Sequence, residues 1–269
     1  MSATSRLRVI FLGSGSAGNA VAVTDGATLL LIDCGFSARE TTRRLRMAGL
    51  EPASVSAVLV THEHSDHIRG VEVFARQTGC AVYATAGTRG AAGFDALCGE
   101  VVTVVRGETV RVGTLSVLPF ATSHDAAQPV GYRLESTDGE RFGLMTDTGV
   151  LTEQAAEALA EVDLLGIESN HDLDMLTNGP YPHFLKVRIR SDRGHLSNPA
   201  AADALERLAS ARLRRVFALH RSDTNNSPSL AMRALVARAA AIGLDVHVDV
   251  APQHDVLDSL PAQGELFAG

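Results

Sequence analysis

His62, His64, Asp66 and His67 fall within six residues, in the run His62-Glu63-His64-Ser65-Asp66-His67, directly after the apolar stretch Ala57–Val60. Four such groups at the end of a strand are expensive to bury unless something binds them. Imidazole and carboxylate are the ligands that suit zinc, manganese or iron. On a helix, positions three and four apart would share one face. A tight loop after a strand instead turns neighbouring side chains to two sides and feeds two metals. Other residues carry chemistry further on. His195 precedes Ser197-Asn198-Pro199, a helix-start signature with a capping side chain and an early proline, where backbone N–H groups attract phosphate. An imidazole at that place is a candidate proton donor to a leaving oxygen. His171, three residues after Glu168, is a candidate proton shuttle or substrate contact. Arg188, Arg190 and Arg193, with Lys186, form the dense basic run beside these motifs, and arginine suits bidentate phosphate contacts.

The elements that must position these residues are short. Apolar runs at Leu7–Leu12, Ala20–Thr24, Thr28–Ile32 and Ala57–Val60 are bounded by turn residues and read as strands. Helical patterns follow at Ala38–Ala48, which ends at Gly49, and at Val71–Thr78, which ends at Gly79. Strands return at Ala81–Ala84, Val101–Val105, Val110–Pro119, Val130–Glu135 and Arg141–Met145. After Thr146 the order becomes helix–strand. Helices are expected at Glu153–Ala160, Pro199–Ala209 and Pro228–Ile242, and strands at Asp163–Ile167, Arg215–Leu219 and Val246–Val248, the last closing the set. Strand-rich blocks with helices at the end of each half imply two sheets packed face to face with helices outside, an αββα four-layer sandwich forming one domain over residues 1–269. Gly13–Asn19 lacks the Lys-Ser/Thr ending of a phosphate loop and leads into a strand, so it reads as a tight inter-strand turn.

The chain has 269 residues and a formal charge of −7, so it exerts no global pull on nucleic acid or anionic membrane, and any polyanion must meet a local positive site. Three cysteines, Cys34, Cys80 and Cys98, make no disulfide framework and read as reduced thiols. The longest apolar stretch is far too short to span a bilayer, and the polar start lacks a signal-peptide core. A soluble, cytoplasmic protein without a membrane partner is expected.

The sequence resembles the metallo-β-lactamase superfamily over nearly its whole length. Beyond the histidine run, Asp33 in Leu31-Ile32-Asp33-Cys34-Gly35 matches the early aspartate, His124 in Ser123-His124-Asp125 the third motif, Asp147 in Thr146-Asp147-Thr148-Gly149 the bridging carboxylate, and His220 the last histidine. The resemblance implies one divalent metal on His62, His64 and His124 and a second on Asp66, His67 and His220. It further implies that Asp147 bridges them while Asp33 orients ligands from behind. Asp66 counts both as ligand and as part of the catalytic apparatus, with His195 and His171. A closer resemblance is to the YycJ/WalJ-like branch, related to RNase Z. It rests on Gly13-Ser14-Gly15-Ser16-Ala17-Gly18-Asn19, Glu168-Ser169-Asn170-His171-Asp172, Gly194-His195-Leu196-Ser197-Asn198 and Asn225-Asn226-Ser227-Pro228. Cys34, where alanine is expected, and Arg221-Ser222-Asp223-Thr224, where a Leu-Ser-rich run is expected, depart from that pattern.

That resemblance implies a DNA exonuclease, with hydrolysis by a metal-bridging hydroxide and two ions that stabilise the attacking and leaving oxygens. Arg188, Arg190, Arg193, Ser197 and Asn198 are the expected phosphate contacts, and His195 the proton donor. A small-molecule hydrolase acting on a thioester or cyclic phosphodiester is the alternative, mildly favoured by the acidic charge. A redox or non-catalytic member is disfavoured, because redox members replace a first-motif histidine with carboxylate and here His62, His64 and His67 are all present.

Overall fold

A computed structural model describes residues 7–97 and 99–260. Cys98 lies outside them, while Cys34 and Cys80 are buried free thiols, as expected. The first half runs β1 (Arg8–Gly13), β2 (Ala20–Thr24), β3 (Leu29–Ile32), α1 (Ala38–Met47), β4 (Val55–Leu59), α2 (Ser65–Ile68), α3 (Val71–Thr78), β5 (Ala81–Thr85), α4 (Ala86–Ala91) and β6 (Val101–Val104). The second half runs β7 (Val110–Val112), β8 (Leu115–Ala121), β9 (Val130–Glu135), β10 (Arg141–Met145), α5 (Glu153–Leu159), β11 (Leu164–Glu168), α6 (Leu173–Asn178), α7 (His183–Ile189), α8 (Asn198–Leu208), β12 (Arg215–Leu219), α9 (Pro228–Ala241), β13 (His247–Val250) and β14 (Leu257–Asp258).

Two seven-stranded sheets result, ordered β14-β1-β2-β3-β4-β5-β6 and β13-β12-β11-β10-β9-β8-β7. Each is antiparallel at one end and parallel at the other, where β3 to β6 and β10 to β13 run side by side. The strands read as unbroken apolar runs because both faces are covered. In β1, Val9 and Phe11 enter the core between the sheets, while Ile10 and Leu12 enter the core under α1 and α3. The inter-sheet core is stitched by Phe11, whose ring centroid lies 4.7 Å from that of Phe217 and 6.3 Å from that of Phe142. A third core packs α5, α8 and α9 against the outer face of the second sheet. Three cores between four layers make the αββα sandwich.

The structure corrects several expected elements. Val110–Pro119 is not one strand. Gly113, at φ +58, turns the chain between β7 and β8, and a Cβ there would also strike the Thr28 side chain, so the glycine is required. The expected closing strand at Val246–Val248 is β13, but the chain then returns to the first sheet, where β14 pairs with β1. The histidine run is not wholly loop, since Asp66 and His67 lie on the single turn α2. The basic run lies partly on a helix, α7. Among the described residues, no helix is long and apolar enough to cross a membrane.

Candidate metal centre

The candidate side chains converge because parallel strands end together. Asp33 follows β3, the histidine run follows β4, Asp147 stands two residues past the end of β10, Glu168 ends β11 and His220 follows β12. His124 comes from the β8–β9 connection. Three of these residues, Asp33, Asp147 and His220, have φ of 59°, 53° and 48°, a left-handed backbone that costs a non-glycine residue about 1–2 kcal/mol. The turn lets the chain leave the sheet and still aim the side chain across the strand ends.

Nitrogen and oxygen atoms gather in two triads, His62, His64, His124 and Asp66, His67, His220, each with donor atoms within 4.8 Å of one another. Asp147 belongs to a third group with His62 and His67 and so lies between the triads. Its Oδ2 is 3.2 Å from His67 Nε2 and its Oδ1 is 3.6 Å from His220 Nε2. The far sides of the rings are anchored. Asp33 Oδ2 accepts from His67 Nδ1 at 2.7 Å while its two oxygens hold the Thr61 amide and hydroxyl at 2.8 Å. His124 Nδ1 donates to the Gly194 carbonyl at 3.1 Å, and His62 Nδ1 sits 3.0 Å from the Thr61 hydroxyl. Each bond fixes a tautomer with Nε2 turned inward, as a metal ligand requires.

The donor set fits divalent cations. His62 Nε2 is buried with no hydrogen-bond partner, an arrangement that is costly for protein alone. Burial keeps the His62 ring below the usual imidazole range, so its lone pair is free for a cation. Elsewhere the cluster is balanced by its own protons. Burial would lower His220, yet Asp147, Asp66 and Glu168 raise it to about 10. Burial likewise opposes ionisation of Asp147, and His220 and His67 hold it well below the ordinary carboxylate range.

Glu168, to which the sequence analysis gives no role, has one here. It is wholly buried, and Oε1 accepts from His195 Nδ1 at 2.8 Å and from His220 Nδ1 at 3.1 Å. Its Oε2 accepts from the backbone N–H of Thr148 and Leu196, at 2.9 and 3.3 Å. These protons already satisfy the carboxylate. Glu168 therefore ties His195 to His220, a hydrogen-bonded link between an imidazole outside the triads and one inside them. Burial would lower His195, but Glu168 overcomes it and raises the ring, favouring a protonated imidazole beside the triads.

The other expected contacts divide. A pocket of about 200 Å³ opens beside His124 and His195 and is lined by Ser16, Tyr181, Leu185 and Arg188. Arg188 Nε donates to Asp125 Oδ2 at 2.5 Å, one residue from a triad member. Arg193 reaches the His124 carbonyl, whereas Lys186 and Arg190 line the opposite side of α7. Ser197 caps α8 by accepting from the Ala200 N–H. Asn198 is buried and hydrogen-bonded to Ser169 and Asn226. His171 does not line that pocket; it is buried, and burial pushes it down to about 4. Gly13–Asn19 is the expected turn, with Asn19 Oδ1 accepting from Gly15 N–H, but it also brings Asn19 Nδ2 within 3.1 Å of His67 Nε2. The only sequence signal for that was the polar residue ending the turn.

Residues 28–220 match the beta-lactamase superfamily domain. The chain belongs to the beta-lactamase superfamily. It is 37% identical to the exodeoxyribonuclease WalJ of Streptococcus pneumoniae over 88% of this chain and 90% of that protein. It is 36% identical to the exodeoxyribonuclease YycJ of Bacillus anthracis over 82% and 84% respectively. The branch read from the sequence motifs is thereby borne out. Human tRNase Z, short form, superposes with a TM-score of 0.65 at 18% identity, covering 94% of this chain and 99% of that one, a likeness of superfamily fold.

Proposed function

We propose that this chain is a dinuclear metal-dependent phosphodiesterase that acts on DNA. One ion would be held by His62, His64 and His124, the other by Asp66, His67 and His220, with Asp147 shared. The observation that carries the reading is a pair of ligand triads around one buried carboxylate, flanked by an imidazole, His195, that belongs to neither triad. Likeness to exodeoxyribonucleases over most of both chains supports DNA as the substrate class, and Arg188 at the cleft supports an anionic substrate. Bound divalent ions supply an acidified water and neutralise charge on the phosphoryl oxygens. The protein's own residues do the rest. Asp33, Thr61 and Gly194 hold imidazoles in one tautomer. Glu168 holds His195 through Nδ1 and keeps it protonated, so that Nε2 delivers a proton to the leaving oxygen. A positioned acid of this kind contributes about 10²–10⁴-fold.

The test is metal analysis of the purified protein joined to a nuclease assay on end-labelled single- and double-stranded DNA with manganese or zinc. The expected result is about two ions per chain and metal-dependent release of product. A protein that cuts a thioester or a small cyclic phosphodiester but no DNA under any metal would leave the hydrolase and remove the nuclease.

A further inference from the structure

Helix α7 carries a surface that the metal centre does not use. Four cations and one carboxylate, Asp192, fall between residues 183 and 193 of a chain whose formal charge is −7. On one side of α7, Leu185, Arg188 and Ile189 line the pocket beside His195. On the other, Lys186, Val187 and Arg190 line a groove of about 590 Å³. Helical spacing puts Phe184 on the crest between the two, one turn before Arg188 on the same face. Phe184 is 73% exposed and Val187 54% exposed. An aromatic ring on a basic crest, between the site pocket and a cation-rimmed groove, makes a stacking platform with an electrostatic track.

We propose that α7 is a binding track for single-stranded DNA: the strand leaves the pocket at Arg188, stacks an unpaired base on Phe184, and continues along the groove with phosphates near Lys186 and Arg190. This rests on the nuclease reading above and adds to it a strand form and a place. Charge decides between this occupant and a second copy of the chain. A two-fold contact through this surface would set Lys186 and Arg190, the cations that line the groove, against their own copies, whereas a polyanion releases counterions there.

The test is fluorescence anisotropy of the metal-loaded protein with a labelled phosphorothioate oligo(dT), which resists turnover, and with a blunt duplex of the same length. Because Phe184 is exposed, Phe184→Ala should fold normally. Loss of one stacking contact should weaken oligo(dT) binding about 5- to 100-fold, with the duplex much less affected because its bases are already stacked. Phe184→Trp should retain binding. Arg190→Gln should lower the slope of log K against log salt by ~0.7. Val236→Ala, at an exposed apolar position on α9, should change nothing. Unchanged oligo(dT) affinity in Phe184→Ala, or equal losses on oligo(dT) and duplex, overturns the track. So does a wild-type dimer that Phe184→Ala dissociates in sedimentation. A wild type that cleaves DNA yet binds independently of Phe184 removes only this inference. One that neither binds nor cleaves DNA removes the proposed function with it.

Discussion

Glu168→Gln exchanges one atom at a position with no tolerance for it. The carboxylate accepts four hydrogen bonds, two from imidazole Nδ1 atoms and two from backbone N–H groups. The amide has one accepting oxygen. If that oxygen faces Thr148 and Leu196, the NH₂ faces both imidazoles. His195 and His220 must then offer Nδ1 as acceptor and carry the proton on Nε2, which is the atom His220 needs for a metal. If the amide is reversed, two buried N–H donors meet a third. Either way about two charge-assisted bonds are lost in a wholly buried place, at ~1.5–3 kcal/mol each, so the metal-free protein should lose about 3–6 kcal/mol in urea unfolding. Metal affinity should fall about 10–100-fold through His220, and turnover of metal-saturated enzyme about 10²–10⁴-fold through His195.

A double-mutant cycle separates the two routes. His195→Ala should reduce turnover on DNA by the same ~10²–10⁴ and leave metal content intact, with a smaller loss on a nitrophenyl phosphodiester, whose leaving group needs little protonation. If Glu168 acts on turnover through His195, the double variant at saturating metal should be within about threefold of His195→Ala. Multiplicative losses, or a Glu168→Gln enzyme with unchanged metal affinity and turnover, would refute the positioning argument.

Asp66→Ala combined with His67→Ala should abolish hydrolysis and lower metal content to about one ion per chain, and a variant that keeps two ions removes these residues from the ligand set. Gly35→Ala should cost about 3 kcal/mol and disturb metal binding, since a Cβ there would meet the Asp66 carbonyl oxygen at 1.6 Å; an unperturbed melt would show that the α2 turn can shift freely. Metal affinity should fall as pH drops through the imidazole range, because ligand nitrogens must be deprotonated to bind; a flat titration monitored by metal release would contradict imidazole ligation. Glu161→Gly should stabilise by about 1 kcal/mol, relieving an exposed residue at φ 59°. Asp33→Gly relieves the same torsion yet should destabilise, because Thr61 and His67 lose their acceptor; equal signs in calorimetry would refute that account.

What was legible in the sequence followed distance along the chain. His62, His64, Asp66 and His67 sit together and announce metal chemistry unaided. Asp33, His124, Asp147 and His220 are isolated, and only the family pattern picked them out. The strands were readable because β1, β3 and β4 bury both faces and become continuous apolar runs. The hairpin at Gly113 was not, since Val-Gly-Thr inside an alternating stretch gives little turn signal beyond one glycine. Helix α7 was hidden because it is not amphipathic in the ordinary sense: Phe184 and Val187 face solvent. Glu168 was noticed only as standing three residues before His171. Its actual partners are 27 and 52 residues away, and strand order alone determines that.

The backbone at the strand ends explains why such a site resists reading from local preference. Among the described residues, four non-glycine positions have positive φ, and three are Asp33, Asp147 and His220. Local preference alone would place glycine there most often, with asparagine or aspartate next. The side chains are kept because each is over-determined by its partners: Asp33 by Thr61 and His67, Asp147 by the imidazoles around it, His220 by the Ser14 hydroxyl on its N–H and Glu168 on its ring. About 1–2 kcal/mol of torsional cost per residue is thus offset by tertiary contacts that exist only once both sheets are assembled. The fourth such residue, Glu161, is exposed and lies away from the strand ends that form the site. Conformational strain together with burial and convergent partners, rather than strain alone, therefore distinguishes the proposed site positions from Glu161.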